Sequence, residues 1–182
     1  MSTGEPEQAL VARARRGDKD AFGALVVRHH RAVAAIAYHM TGDAATADDV
    51  AQAAFLRAWE QLATLRDDAA FKSWLCRLAV RASIDCLRRA PREQPLPDGV
   101  VDPAGSPEGA ALAHERARAV RRAVLGLPEQ CRAALILREF EGLSYKEIAQ
   151  VLGIPMGTVM SRLSYARGLL RTALAATQYK RT

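Results

Sequence analysis

The sequence predicts an all-α protein: two small helical domains joined by a flexible acidic linker, the C-terminal domain containing a helix-turn-helix. Three observations predict it. Ala and Leu dominate, β-branched alternation is missing, and apolar residues recur at helical period in most windows. APREQPLPDGVVDPAGSPEG, residues 90–109, gathers five of the eight prolines with Gly99, Gly105 and Gly109, and no apolar period runs through it. Residues 144–171, SYKEIAQVLGIPMGTVMSRLSYARGLLR, carry the start and stop signals of two short successive helices. The domains are therefore 1–90 and 110–182, with 91–109 as linker.

The first domain divides into helices near 6–16, 18–40, 44–62 and 70–89, punctuated by Gly17, by Thr41-Gly42-Asp43 and by the segment 64–68. In the third of these, Ala51, Phe55, Ala58, Trp59 and Leu62 share an arc that faces the core. The opposite arc carries Asp49, Gln52, Ala53, Leu56 and Glu60, an apolar leucine among acidic and amide groups. That face suits a protein partner offering basic side chains around an apolar pocket, and it equally suits a leucine left on a solvated surface.

The fourth helix, FKSWLCRLAVRASIDCLRR, turns Phe71, Trp74, Leu75, Leu78 and Ala82 to one side and lines up Arg77, Arg81 and Arg88 beside them. Aligned guanidinium groups repel one another unless an anion lies across them. Asp85, four residues after Arg81, neutralises only part of the stripe, so a nucleic-acid backbone is the better candidate. The loop before this helix, 63–70, holds Arg66, Asp67 and Asp68 and leads into Phe71 and Trp74. Polar loop groups beside aromatics are what capture of an unstacked base requires, although two aromatics at this spacing also suit a core.

The second domain gives helices near 108–125, 128–140, 144–152 and 155–176. Ser144 and Glu147 form a capping box, Ile148, Ala149 and Leu152 make a buried face, Gly153 ends the helix, and Pro155 suits the first turn of the next. There Val159, Leu163, Ala166 and Leu170 face inward, so Met160, Ser161, Ser164 and Tyr165 point outward where they could enter a major groove. Arg162 and Arg167 lie on the flanks, positioned for phosphates rather than base edges.

Charge follows this division. Residues 1–90 carry 13 Lys+Arg against 11 Asp+Glu, residues 91–109 carry 1 against 4, and residues 110–182 carry 12 against 5, for net charges of +2, −3 and +7. The basic excess sits with the helix-turn-helix, which favours a polyanion as partner. No apolar run reaches membrane-spanning length and no charged-then-apolar leader is visible, so a soluble, cytoplasmic protein without direct membrane insertion is expected. Cys76, Cys86 and Cys131 are too widely spaced for a metal site and fit reduced, packed thiols. Neither a metal, a cofactor nor enzymatic chemistry is expected: no phosphate-cradling loop, nucleophile elbow or convergent acid pair is present.

DDVAQAAFLRAW (48–59), FKSWLCRLAVRASIDCLRR (71–89) and LPEQCRAALILREFEGLSYKEIAQVLGIPMGTVMSRLSYARGLL (127–170), in this order and spacing, resemble a bacterial RNA polymerase sigma factor of the extracytoplasmic-function (ECF) class. The resemblance covers nearly the whole chain. It implies that the chain binds core RNA polymerase and directs promoter-specific initiation, with Asp48, Asp49, Gln52 and Leu56 docking on the clamp helices of the largest subunit. It implies that Arg66, Asp67, Phe71, Trp74, Arg77 and Arg81 recognise the minus-ten element and trap a flipped base. Lys146, Thr158, Met160, Ser161, Arg162, Ser164, Tyr165 and Arg167 would read the minus-thirty-five element, while their domain touches the flap of the second-largest subunit. The acidic linker would follow the polymerase's RNA path, and an anti-sigma factor would hold the chain inactive.

The chain departs from the family's pattern at four positions. An acidic residue is usual where Ala53 stands, an asparagine is frequent where Arg81 stands, and basic side chains are frequent where Met160 and Tyr165 stand. Two rivals fit less well. A ligand- or phosphate-sensing regulator would show an enclosed pocket or an α/β phosphoacceptor pattern in residues 1–90, and a recombinase or nuclease would show a nucleophile or clustered metal carboxylates there.

Overall fold

The computed structural model describes residues 5–89 and 107–179. The described residues form eight α-helices and no strand: α1 (Glu7–Ala14), α2 (Lys19–Thr41), α3 (Ala44–Gln61), α4 (Phe71–Arg89), α5 (Pro107–Leu125), α6 (Glu129–Glu139), α7 (Tyr145–Leu152) and α8 (Met156–Tyr179). Two single 3-10 turns, Leu62–Thr64 and Asp68–Ala70, shape the loop between α3 and α4. The helix α5 opens at Pro107, so the last three residues assigned to the linker belong to a helix; residues 91–106 of the expected tether lie outside the described residues.

The starts of α2 and α3 are set by aspartates. Asp18 accepts from the Ala21 amide at 3.0 Å, and Asp43 accepts from the Thr46 amide at 2.7 Å, each satisfying an orphan donor of a first turn. Arg13 fixes Asp18 through Nε and a terminal nitrogen at 2.9 and 2.7 Å. Between α2 and α3 the chain must reverse, and Gly42 does this at φ 84°, a conformation unfavourable to other residues. The core is then α2, α3 and α4 packed together, with Leu25, Ile36, Met40, Phe71 and Leu75 enclosed; each such side chain contributes roughly 1.5–3 kcal/mol.

In the second domain α6 is buried along its whole central stretch, Cys131 to Leu137. A helix of 11 residues covered on every side must lie inside its surroundings, and α6 packs against α7 and α8 on one side and α2 on another. The two domains are thus in contact. α5 and α6 meet the C-terminal end of α2, and α7 meets α4.

Carbonyl oxygens and arginines carry much of that contact. Arg132 of α6, itself buried, donates to Met40 O at the end of α2 and to Leu125 O and Leu127 O in its own domain. Arg121 of α5 donates to Gly42 O and lies over the Tyr38 ring, 4.6 Å from its centroid. Beside them the His39 ring packs on Phe140 with centroids 3.8 Å apart. Burial, aided by the positive charge of Arg121, pushes the His39 imidazole below its ordinary value. Across the other seam, Lys72 of α4 donates to Glu141 O at 3.3 Å and Arg77 to Gln150 O at 2.8 Å.

Candidate nucleic-acid interface and docking face

The helix-turn-helix forms as its signals predict. Ser144 Oγ accepts from the Glu147 amide at 3.3 Å while the Glu147 carboxylate accepts from the Ser144 amide at 2.7 Å, closing the capping box. Donation from the Ser144 hydroxyl and then from its amide holds the Glu147 carboxyl below the usual range. Gly153 ends α7 at φ 66° with its amide bonded to Ala149 O, and α8 begins at Met156, one residue after Pro155. The buried side of α7 differs slightly from expectation. Ile148 and Val151 are enclosed, while Ala149 and Leu152 are half-buried and pack at the edge of the same core.

Along α8, Val159, Leu163 and Ala166 are buried and Leu170 packs at their edge. Met160, Ser161, Ser164 and Tyr165 all face solvent, and Thr158 is half-buried. Lys146 is exposed on α7. Arg162 and Arg167 occupy the flanks, but each already has a partner: Arg162 donates to Gln130 Oε1, and Arg167 donates to Glu139 Oε1 at 3.0 Å.

In the first domain, Asp48, Asp49, Gln52 and Leu56 form one exposed surface of α3, with Leu56 64% accessible. Trp59, on the other side, is half-buried and packs on Phe22 at 5.0 Å. Asp85 is tied across to Arg57 of α3 at 3.2 Å rather than lying along its own helix against Arg81, which leaves Arg81 and Arg88 exposed.

One predicted site residue is corrected. Phe71 has no solvent-accessible surface; it is enclosed between His29, 5.4 Å away, and Trp74, 6.0 Å away, and so cannot touch a base. Its contribution is to hold Trp74, which remains half-exposed beside the loop. Arg66 and Asp67 are exposed on that loop, where Asp67 also accepts from the Ala69 amide at 3.0 Å. Asp68 is bound to Arg15 at 2.9 Å, which anchors the loop to the end of α1. Arg77 is partly covered by α7 through its bond to Gln150 O, a partner that helical periodicity in α4 does not announce.

The first domain therefore offers an exposed acidic face with an apolar centre and a basic stripe next to a loop and a half-exposed tryptophan, and the second offers a helix-turn-helix. Residues 25–93 match the family Sigma-70 region 2, and residues 117–170 match Sigma-70, region 4. The RNA polymerase sigma-H factor of Pseudomonas aeruginosa is 40% identical, covering 96% of each chain. This chain is a sigma factor of the ECF class. The ECF RNA polymerase sigma-E factor of Escherichia coli K12 is 38% identical over 92% of this chain and 93% of its own. Among solved structures, CnrH in complex with the cytosolic domain of CnrY superposes with a TM-score of 0.72 at 29% identity, covering 93% of this sigma factor and 97% of that chain. As a sigma factor it binds core RNA polymerase and promoter DNA and directs transcription initiation. None of its described helices is long and apolar enough to cross a membrane.

Proposed function

We propose a division of labour in which residues 1–90 dock on core polymerase and open the minus-ten element, residues 91–109 tether, and residues 110–182 read the minus-thirty-five element. The exposed face Asp48, Asp49, Gln52 and Leu56 meets the clamp helices of the largest polymerase subunit. Its acidic rim complements basic partner side chains and Leu56 supplies an apolar anchor. The loop with Arg66 and Asp67, together with Trp74, Arg77 and Arg81, engages the minus-ten strand; Trp74 presents the aromatic surface on which an unstacked base can rest. Lys146, Thr158, Met160, Ser161, Arg162, Ser164, Tyr165 and Arg167 address the minus-thirty-five element, and their domain meets the flap of the second-largest subunit.

The observation that carries this reading is the exposed Leu56 among carboxylates on the side of α3 away from its core. The test is core binding by the double variant Asp49→Lys, Leu56→Ala. Both positions are exposed, so circular dichroism should be unchanged while affinity for core, measured by competition, falls by about 2 kcal/mol or more. A folded double variant that binds core normally would remove the docking face.

An anti-sigma factor is the proposed regulator. The solved neighbour was captured with the cytosolic domain of CnrY, and one superposition spans both domains of this chain. In the contacted arrangement Arg77 is held against Gln150 O, so full use of the minus-ten stripe requires the domains to part. A partner that grips the contacted form keeps Arg77 of that stripe covered.

A further inference from the structure

The reading helix carries a feature that assignment to the minus-thirty-five element leaves unexplained. Over residues 157–168 its outward arc is electrically neutral where a DNA-reading helix most often carries cations. Met160 is 52% and Tyr165 57% accessible, large apolar surfaces held in water on either border of the arc. Between them, over residues 157–168, lie only small residues, Gly157, Ser161, Ser164 and Gly168, with the exposed Arg171 following on the same arc one turn beyond, and a Cβ added at either glycine would meet nothing within 4 Å. The arc is thus shallow and bordered by two apolar side chains.

The nearest guanidinium groups are drawn away from it. Arg162 is bonded to Gln130 and Arg167 to Glu139, both on or beside α6 and both on the flanks of the arc. Ser161 donates its hydroxyl to Thr158 O at 3.0 Å, which leaves that oxygen as an acceptor toward a base. Base chemistry limits what such a surface can select. Guanine presents two acceptors in the major groove and is specified by a bidentate arginine or by lysine, and adenine is specified by the amide of Asn or Gln. Thymine alone among unmodified bases presents a C5 methyl group, which is recognised by apolar contact. The arc contains no cation and no amide at the level of Met160 and Tyr165, and it contains two apolar contacts.

We propose that this sigma factor selects its upstream promoter element through the C5 methyl groups of thymines, with Met160 and Tyr165 as the specificity-determining residues. The proposal rests on α8 being the helix that enters the upstream major groove. Exposed Lys146, with Arg162 and Arg167 on the flanks, supplies phosphate contacts that set register without choosing a base. Burying one methyl group is worth about fourfold in a binding constant, so two such contacts yield roughly fifteenfold preference.

The experiment uses holoenzyme reconstituted from full-length chain and core polymerase. Initiating complexes are first selected from unmethylated DNA randomised upstream of the start, which makes thymine the only source of a C5 methyl group. The expected element carries thymine at two steps and requires guanine at neither. Each thymine is then replaced by uracil, which removes the methyl and nothing else. Affinity should fall about three- to fivefold per step. Met160→Ala should abolish the thymine-over-uracil preference at one step and Tyr165→Ala at the other, and Met160→Arg should shift its step toward guanine.

Required guanines at both steps, or equal binding of thymine and uracil DNA, would overturn the proposal and leave the two side chains to a protein partner. Specific initiation with no enriched upstream element overturns it as well while leaving the sigma-factor reading intact. Failure of the Asp49, Leu56 variant to lose core affinity would strike the docking assignment and not this one.

Discussion

Arg132 gives the most quantitative handle on how the two domains are held. Its guanidinium is buried and bridges Met40 O of the first domain to Leu125 O and Leu127 O of the second. Replacing it with methionine keeps the length and apolar stem but leaves three carbonyls without their donor. Hydrogen bonds from a charged donor contribute about 1.5 kcal/mol each at the low end, or roughly 4.5 kcal/mol for the set. Part of this is offset, because a guanidinium that burial already disfavours no longer has to leave water. The net expectation is a loss of about 3 kcal/mol. Urea denaturation of the full chain, followed by circular dichroism and extrapolated linearly, measures it. Arg132→Lys should recover only a minor part, because an ammonium is a point donor and cannot span three separated carbonyls. A methionine variant that loses less than about 1 kcal/mol, or a lysine variant as stable as the parent, would refute this account.

Gly42→Ala should destabilise the chain by about 1–2 kcal/mol, read as a lower thermal midpoint, because alanine resists left-handed φ and its Cβ would sit 2.7 Å from Leu125 Cδ1. His39 is held neutral by burial and by Arg121, with Arg132 close by on α6; its value in the contacted form lies below the ordinary one near 6.5. Closure is therefore fully favoured above pH 6.5 and weakens as pH falls toward the lowered value, since only the parted form takes up the proton freely. Small-angle scattering should show the radius of gyration rising between about pH 7 and pH 5, and His39→Gln should flatten that response. Ser144→Ala should cost about 1 kcal/mol by removing the cap of α7 and should weaken promoter binding more than core affinity. An alanine variant with unchanged stability would show that the turn holds α7 without its cap.

Much of the helix-turn-helix was legible because its signals are local. A serine, a glutamate three residues on, a glycine able to take positive φ and an apolar period all lie within one stretch, and each acts on its own neighbours. The outward position of Leu56 was legible for the same reason, as it follows from period alone. The residue pattern left Phe71 open between a core and a base-capturing loop, and the family resemblance placed it at the minus-ten element. Only the approach of α2, which brings His29 against it, decides the matter. Arg132 and His39 gave no sign in sequence. A basic residue in an apolar helix announces a partner but not its address, and here the partner is a carbonyl oxygen 92 positions earlier in the chain. Asp85 shows the same limit on a smaller scale, since Arg57 reaches it across a helix pair that periodicity within α4 cannot anticipate.

The seam at the end of α2 is chemically lopsided. What the first domain offers to Arg121 and Arg132 is main-chain oxygen, Gly42 O and Met40 O, which nearly any sequence would present at a helix end, together with the Tyr38 ring beneath Arg121. What the second domain offers is a pair of particular side chains. Met40 can therefore drift in sequence without losing its acceptor. Gly42, whose left-handed turn lies against Leu125, cannot, and neither can Tyr38 or the two donating arginines. A chimera that borrows its second domain from another protein will inherit that donor's tendency to close or to stay apart, wherever the first domain keeps Gly42 and Tyr38. Grafting to change promoter choice would then also change how much of the protein is held shut, unless arginines equivalent to these two travel with the graft.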